Sequence, residues 1–278
     1  DAGGDLPRGA RFTYLLDQAV LDAAPGGEAV LTILDDKGNK IDSFSSVMPE
    51  EKKDRHGQYI SANAGMNSFW WTMNHASGPK MVDSDFHERP AGPLVLPGAY
   101  TARLSVGDWS MEQGFNLVKD PRVKTSQRDL KAQLDLMIDV QNKLSEIIEA
   151  VNTSRGVKKR MADWTGRLAG NADADKVTAA MARLEKKLDK VEAALVQKEL
   201  TSFGDVLNYR EMLFEKINGL PPVIRSADAK PTQQSYDVFE KLSGQADTQL
   251  AAMQALVDGD LAKINNQLSE LGVEIIGG

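Results

Sequence analysis

The feature that most constrains the fold of this 278-residue chain is an abrupt change of sequence pattern at Pro121. Of the 11 prolines, 8 lie at or before Pro121, and none lies between Arg122 and Leu220. A proline inside a helix removes a backbone hydrogen bond and clashes with the preceding turn, so only the second half has room for long helices. Because a domain typically contains roughly 100–200 residues, we predict two domains, at 1–121 and 122–278.

The first half has the two-residue periodicity of β-strands. Apolar and polar residues alternate in short runs, and turn residues such as Gly38 and Gly107 separate the runs. The runs are residues 11–16, 29–34, 40–44, 67–73, 99–106 and 109–118. Roughly six or seven short antiparallel strands separated by turns are typical of β-sandwiches, so we predict an immunoglobulin-like or fibronectin-like β-sandwich.

The second half has the periodicity of α-helices. A stripe of apolar residues alternately four and three positions apart marks one helix: Val177, Met181, Leu184, Leu188, Val191 and Leu195. An earlier helix is expected from about Ser126, with Thr125 or Ser126 as its N-cap, and a last helix of about 40 residues from near Thr232. We expect an interruption near Gly204 and a stop at residues 218–222. The pattern predicts an antiparallel bundle of three long helices.

The charge of the chain argues against two kinds of partner. The sequence has 33 basic and 40 acidic residues, and residues 1–120 alone have 11 basic and 17 acidic ones. Nucleic acid and anionic lipid select basic surfaces, but the longest basic cluster is Lys158-Lys159-Arg160. The sequence also has no run of about 18 apolar residues. We therefore expect no nucleic-acid partner and no insertion into a membrane.

The absence of cysteine limits the chemistry of the chain. It excludes disulfides, thiolate metal sites and cysteine nucleophiles. Many exported bacterial proteins avoid cysteine, which favours a periplasmic or extracellular location. The N-terminal residues from Asp1 to Asp5 do not have the charged and then apolar pattern of a signal peptide.

One polar stretch, residues 75–88, has the residue types of a metal site. It contains two imidazoles and several carboxylates, which bind divalent cations. The candidate ligands are His75, Asp83, Asp85 and His87. Their spacing matches no closed metal site, so a solvated loop remains the alternative.

The adjacent Trp70 and Trp71 are candidates for ligand binding. Neighbouring residues of a strand point to opposite faces of the sheet, so one ring is expected in the core and the other outside. An exposed indole ring is a platform on which a sugar stacks. Packing under a neighbouring loop or domain is the alternative for that ring.

No motif in the sequence predicts catalysis. A Gly-x-Ser-x-Gly nucleophile elbow and the glycine-rich phosphate-binding loops are both missing. The adjacent carboxylates Asp35 and Asp36 lie in a hairpin turn, where solvent keeps them ordinary rather than poised as an acid and a base. We therefore expect no enzymatic activity and no cofactor.

Several stretches of the chain, in a fixed order, resemble a known protein family. In the first half they are Pro7-Arg8-Gly9-Ala10, Asp36-Lys37-Gly38, Ala64-Gly65-Met66-Asn67-Ser68-Phe69-Trp70, residues 92–104 and Asp120-Pro121-Arg122-Val123. In the second half they are Ser126, Asp129, Leu130 and Gln133, then Ala229-Lys230-Pro231-Thr232 and residues 260–268. Together they resemble the region that follows the β-propeller in large bacterial exported proteins of the sialidase-like (Asp-box) and sortilin-like class, often labelled glycosyl-hydrolase-like.

The resemblance implies a non-catalytic C-terminal accessory module with a structural or protein-interaction role. The propeller motif Ser-x-Asp-x-Gly-x-x-x-Trp is not in this chain, and the matching residues are turn and core positions. The expected partner is the upstream β-propeller of the same polypeptide, or another protein, in the periplasm or outside the cell. The alternative is a carbohydrate-binding or accessory module of a glycoside hydrolase.

Overall fold

The computed structural model of the chain describes residues 9–48, 58–84 and 86–272. The chain divides into two compact units that interleave along the sequence. The β unit comprises Asp1–Ala76 and Gly92–Leu134, and the helical unit comprises Ser77–Ala91 and Asp135–Gly278. The predicted domains, 1–121 and 122–278, are contiguous and stay a prediction. Antiparallel sheets in the N-terminal part and a mostly helical C-terminal region confirm the predicted order of secondary structure.

The β unit contains two antiparallel sheets. Its elements are β1 (Ala10–Leu16), α1 (Gln18–Ala23), β2 (Ala29–Leu34), β3 (Lys40–Ser45), β4 (Gly65–Trp71), β5 (Gly98–Val106) and β6 (Trp109–Leu117). Strands β1 and β4 form one sheet, and the other sheet has the order β3-β2-β5-β6. The six runs predicted from alternation each contain a strand, whereas the short helix α1 was not predicted.

Turn chemistry sets the register of the four-stranded sheet. In the β2–β3 loop, a carboxylate oxygen of Asp35 accepts hydrogen bonds from the backbone N–H of Lys37 (2.9 Å) and Asn39 (2.7 Å). Gly38 there has a φ of +81°, which glycine adopts without steric cost. Between β5 and β6, Gly107 has a φ of +55°, and Val106 pairs directly with Trp109. These local interactions explain why both hairpins were readable from the sequence.

Aromatic rings from both sheets form the core of the β unit. The ring centroids of Trp71 (β4) and Tyr100 (β5) lie 6.1 Å apart, and those of Phe44 (β3) and Phe69 (β4) lie 4.6 Å apart. Phe12 of β1 meets Phe115 of β6 edge to face at 5.2 Å. The two sheets therefore share one hydrophobic cluster.

The helical unit contains long and short helices. They are α2 (Gln127–Arg167, whose first two turns belong to the β unit), α3 (Asp175–Leu195), α4 (Leu213–Asn218), α5 (Leu220–Ile224), α6 (Gln233–Ala255) and α7 (Ala262–Glu270). A π-helical turn, Leu256–Leu261, joins α6 to α7. No helix in the described part of the chain is both long and apolar enough to cross a membrane.

Caps and apolar stripes explain where the long helices begin and how they pack. Ser126 Oγ accepts a hydrogen bond from the backbone N–H of Asp129 (3.1 Å), and the Thr232 hydroxyl accepts one from Ser235 (3.3 Å). Ser126 is one of the two residues predicted as the N-cap of the first helix, and Thr232 lies where the last helix was predicted to begin. All members of the predicted stripe from Val177 to Leu195 are buried in the core of the unit.

The region between α3 and α6 differs from the predicted single interrupted helix. Helix α3 ends at Leu195 because Val196 is extended, with φ −135° and ψ 137°. A 3₁₀ turn, Phe203–Leu207, occupies the expected break. The prolines of residues 218–222 do not only stop a helix, because Pro221 and Pro222 lie in the first turn of α5, where a missing N–H costs nothing.

One segment of the helical unit comes from the middle of the β half of the sequence. Ser77–Ala91 lies between β4 and β5 in sequence but belongs to the helical unit. Its Met81 is completely buried in the helical core. We call this segment the strap, and no sequence pattern predicted that it belongs to the helical unit.

Candidate functional site

The described candidate metal ligands are divided between the two units. His75 belongs to the β unit, Asp83 and His87 belong to the strap, and Asp85 lies outside the described residues. Within residues 9–48, 58–84 and 86–272, no group of three or more His, Cys, Asp or Glu side chains is placed to hold a metal ion. His75, Asp83 and His87 therefore do not come together with a further described ligand to form such a group.

His75 is a half-buried residue held through its backbone. Its N–H donates to the carbonyl oxygen of Pro93 at 2.9 Å. A Cβ atom at Gly92 would lie 1.8 Å from the carbonyl oxygen of His75, so only glycine allows this approach. Burial lowers the pKa of His75 below its ordinary value of 6.5, although the carboxylate of Asp35 opposes the shift. His75 is consequently a neutral packing residue near pH 7.

His87 is buried in a polar relay that no sequence motif predicted. Its Nε2 lies 2.9 Å from Oε1 of Glu215 on α4, and its Nδ1 lies 2.8 Å from Oγ of Ser84. A carboxylate can only accept, so Nε2 of His87 bears the hydrogen and donates it to Glu215. In the neutral ring, Nδ1 then accepts from the Ser84 hydroxyl. Both ring nitrogens have protein partners, which leaves neither for a metal.

Glu215 is the acceptor on which the relay depends. Its Oε1 also accepts from the backbone N–H of Gln197 (3.1 Å), and its Oε2 accepts from that of Met212 (2.8 Å). Burial alone raises the pKa of Glu215, but the hydrogen bonds from His87, Gln197 and Met212 outweigh it and hold the pKa below its ordinary value. Glu215 is therefore a carboxylate that joins the strap, the chain after α3 and the start of α4.

The order Ser84, His87, Glu215 is that of a hydrolase triad, in which serine donates to histidine and histidine donates to a carboxylate. In this chain, however, Ser84 Oγ also accepts from the backbone N–H of His87 at 3.2 Å. That bond closes a local turn of the kind that serine commonly stabilises. Anchoring of the strap explains the relay without any reaction.

Two residues of α2 hold the preceding part of the strap. The side chain of Asn152 accepts from the N–H of Val82 and donates to the carbonyl oxygen of Lys80, both at 2.9 Å. The guanidinium of Arg155 donates to the carbonyl oxygens of Val82 and Asp83. Asp83 has a φ of +51°, unusual outside glycine, and these bonds stabilise that conformation. The strap is thus held by side chains of α2 at residues 80–83 and by Glu215 of α4 at His87.

A buried ion network links α2 to α3. Glu192 is almost fully buried, and its carboxylate accepts from Arg155 Nε (2.9 Å) and from Lys158 Nζ (2.7 Å). Lys158 also donates to Asp189 at 2.8 Å. Burial raises the pKa of Glu192, but the hydrogen bonds from Lys158 and Arg155 outweigh it, and the net pKa is lowered. This network is an interhelical clamp in which every charged group has a partner.

The β1–β4 sheet presents a surface that we call the outer face. It consists of three cross-strand pairs: Arg11 with Trp70, Thr13 with Ser68, and Leu15 with Met66. These positions alternate with core residues such as Phe69 and Trp71, as the pleat of a strand requires. Leu15 is 61% exposed and Met66 is 79% exposed. One end of the outer face is therefore apolar, the middle has hydroxyls, and the other end has a cation beside an indole.

Trp70 and Trp71 point to opposite faces of the sheet, as expected for neighbouring strand residues. The structure shows which ring lies in the core and which lies on the outer face. Trp71 is fully buried, and its indole N–H donates to the carbonyl oxygen of Asn74 at 3.1 Å. It is a core residue and cannot stack on a ligand. Trp70 is half-buried on the outer face, and the guanidinium carbon of Arg11 lies 5.9 Å from its ring centroid. Any stacking surface on this strand belongs to Trp70.

The sequence signals that would have revealed these sites differ in strength. The outer face follows from strand parity, because Asn67, Phe69 and Trp71 share a face and Met66, Ser68 and Trp70 share the other. The relay had no such signal, since 128 positions separate His87 from Glu215.

Comparisons with family models, curated proteins and solved structures found no match to this chain.

Proposed function

We propose that this chain is a non-catalytic accessory module of a larger exported protein and that it packs through its outer face against another domain. The observation behind the proposal is the pair Leu15 and Met66, which lie directly opposite each other on β1 and β4 and are both largely exposed. Single exposed apolar residues are ordinary, but paired ones on a face that also presents an indole are typical of an interaction surface.

The proposed partner comes from the sequence resemblance. Residues 64–70, which contain Met66 and Trp70, belong to the stretches that resemble the region after the propeller in Asp-box and sortilin-like proteins. In this proposal the outer face packs on the upstream β-propeller of the same polypeptide, and the assembly functions in the periplasm or outside the cell.

The proposal includes a finer description of the fold. The two sheets, with their shared aromatic core, are an antiparallel immunoglobulin-like or fibronectin-like sandwich. Helices α2, α3 and α6–α7 are an antiparallel bundle of three long helices, to which α4, α5 and the strap are added. The single hydrophobic cluster in each unit supports this description.

The test is association between the propeller and the chain, expressed separately and mixed. We expect the two to co-sediment in sedimentation velocity experiments, and the double variant Leu15→Ser, Met66→Ser to bind at least about tenfold more weakly, because it removes the apolar end of the face. Both residues are exposed, so the variant should unfold at nearly the same denaturant concentration as the wild type.

A matched control removes exposed apolar surface elsewhere in the β unit. Met111 on β6 and Val118 after it are 59% and 88% exposed and lie outside the outer face. The double variant Met111→Ser, Val118→Ser should bind the propeller as the wild type does. Equal affinity of the Leu15→Ser, Met66→Ser variant and the wild type would refute the outer face as the interface.

Carbohydrate binding is the second candidate function, and the position of Trp70 is the observation that favours it. The ring lies on the outer face beside the hydroxyl pair of Thr13 and Ser68, an arrangement of stacking and hydrogen-bonding groups that suits a sugar. The guanidinium of Arg11 lies over the same ring and competes for it.

A glycan array separates this candidate from the first. Sugar stacking predicts that Trp70→Ala abolishes binding, whereas Arg11→Ala preserves or strengthens it by uncovering the ring. A wild-type chain that binds no glycan on the array would eliminate the carbohydrate hypothesis and leave the docking hypothesis intact.

A further inference from the structure

The helical unit contains a pocket of about 340 Å³ that neither the sequence patterns nor the outer face explains. Residues near the end of α3, around the start of α4 and along the middle of α6 line it. Its volume is at the lower end of the roughly 300–1,000 Å³ typical of small-molecule sites. The pocket belongs entirely to one unit, so its shape depends only on the packing of that unit.

The charge of the pocket has a single sign. Arg210 and Lys216 line it, and no aspartate or glutamate does. Neither cation forms an ion pair with any residue in the described ranges. Arg210 is exposed and Lys216 is half-buried, whereas the more deeply buried Arg155 and Lys158 are both paired with Glu192. Two unpaired cations that share a concave surface attract an anion.

The remaining lining is part amide and part apolar. Gln245 and Gln249 on α6 supply side-chain amides, which donate hydrogen bonds. Leu213, at 8% exposure, and the half-buried Met212 add apolar surface to the lining. A ligand that fits this lining has a charged head and an apolar body.

Hydrogen bonds hold the backbone from Arg210 to Met212, which carries part of the pocket lining. The side-chain amide of Gln197 donates to the carbonyl oxygen of Arg210 at 2.9 Å, and the N–H of Met212 donates to Glu215 at 2.8 Å. Glu215 precedes Lys216 in sequence but does not line the pocket, and both of its oxygens already accept hydrogen bonds. Both carboxylate oxygens of Glu215 are thus already engaged within the unit, by His87 and by the backbone N–H groups of Gln197 and Met212.

We infer that this pocket binds a small organic anion. Its phosphate or carboxylate group is held by Arg210 and Lys216, and its apolar part packs on Met212 and Leu213. Arginine and lysine bind either anionic group through charge-assisted hydrogen bonds, so the geometry defines the shared chemistry. This inference is independent of the proposed docking role, because the pocket and the outer face lie in different units.

The test titrates the full chain with phenyl phosphate and follows the heat of binding and the backbone amide resonances of residues around Met212. Phenylacetate provides the carboxylate arm, and benzyl alcohol provides an uncharged probe with the same ring. We expect saturable binding of at least one of the two anions, weaker binding at higher ionic strength, and no saturable binding of benzyl alcohol. The stronger of the two anions then identifies the preferred head group.

The deciding variant is Arg210→Gln with Lys216→Gln, which should weaken anion binding by at least about tenfold. The matched control is Arg225→Gln with Lys241→Gln, which removes the same charge from two exposed side chains outside the pocket. The control should bind within about twofold of the wild type. Circular dichroism and thermal unfolding of both variants verify that the helical unit remains folded.

Several results would overturn the inference. They are the absence of saturable binding for both anions, an equal loss of affinity in the control variant, and shifts confined to amides away from residues 210–216 and 245–249. None of these results bears on association through the outer face, so failure of one proposal is distinguishable from failure of the other.

Discussion

The interiors of the two units differ in chemistry. The buried side chains among the described residues of the β unit are apolar or aromatic, apart from Asn67, whose side-chain amide donates to backbone carbonyls at 2.8 and 3.0 Å. The helical unit instead buries Glu192 and His87 among its leucines. The stability of the β unit depends on how its side chains fill the core. The stability of the helical unit depends also on which of its buried groups are charged.

This difference indicates what each unit should tolerate. A core without charges loses stability mainly when a side chain is removed and a cavity is left. A core with paired charges loses stability when one partner is neutralised and the other remains buried. Substitutions and changes of pH should therefore affect the stability of the two units differently. The largest effect is expected for a cavity in the β unit and the smallest for acid.

Truncation of Trp71 should have the largest effect. Trp71 is fully buried, and its ring centroid lies 6.5, 6.1 and 6.3 Å from those of Phe12, Tyr100 and Phe115. Trp71→Ala should reduce the free energy of unfolding of the β unit by about 4 kcal/mol, because it removes contacts between both sheets. Urea unfolding followed by near-ultraviolet circular dichroism measures the loss.

The matched control is the neighbouring residue on the same strand. Trp70→Ala removes a half-buried ring from the outer face and should cost about 1 kcal/mol or less. Similar losses for the two variants would mean that the strand does not divide into a core face and an outer face.

Neutralisation of Glu192 should have the next largest effect, and it should fall on the helical unit. Glu192→Gln leaves Arg155 and Lys158, both mostly buried, without their carboxylate. We expect a loss of about 3 kcal/mol in the free energy of unfolding. Far-ultraviolet circular dichroism follows it, since most helical residues belong to this unit.

The control for Glu192 is an exposed ion pair in the β unit. Arg103 and Glu112 are bonded at 2.6 Å, but both side chains are about half exposed. Glu112→Gln should change stability by no more than about 0.5 kcal/mol. If both glutamate variants were equally mild, the charges of the helical interior would not stabilise it.

A decrease in pH from neutrality should have the smallest of the three effects on stability. It should act on the interior of the helical unit. The pKa values of Glu192 and Glu215 are lowered in the folded chain, so the unfolded chain binds protons first as the pH falls. Their contribution to stability is complete above their ordinary pKa of 4.5 and is lost as the pH falls through the folded values. Far-ultraviolet circular dichroism at several pH values should show this decline.

One variant tests whether the acid effect comes from Glu192 and Glu215, and two aspartates of the β unit serve as a comparison. Glu215→Gln should flatten the decline, because one of the two carboxylates no longer titrates. In the β unit, burial raises the pKa of Asp42, while hydrogen bonds from Asn39 and Lys37 outweigh burial and lower that of Asp35, so their effects have opposite signs. An unchanged slope in Glu215→Gln would assign the acid effect to other groups.

The parts of the fold that local sequence determines were predictable. Alternation located the strands, the spacing from Val177 to Leu195 located α3, and Ser126 and Thr232 marked helix starts. Each of these features depends on residues within a few positions of one another. The short helices α4 and α5 were not expected, because prolines are signals both of a stop and of a first turn.

The site features required tertiary structure. Two imidazoles in one polar stretch suggested a shared metal site, but His75 and His87 belong to different units. The partner of His87, Glu215, is far away in sequence and no motif marks it. The alternation of side chains along β4 was a local sequence pattern that indicated the outer face. It predicted that one of Trp70 and Trp71 faces outward.

The strap also has a consequence for the order in which the chain acquires its structure during synthesis. Met81 leaves the ribosome before any of the helices whose core it completes, while strands β5 and β6 follow soon afterwards. The β unit can thus be assembled while the strap still lacks a binding site. For the same reason, proteolytic cleavage after residue 121 would place Met81 and its packing partners on separate fragments. The helical fragment would then contain an unfilled apolar hole, and a peptide of residues 77–91 is the piece that fills it.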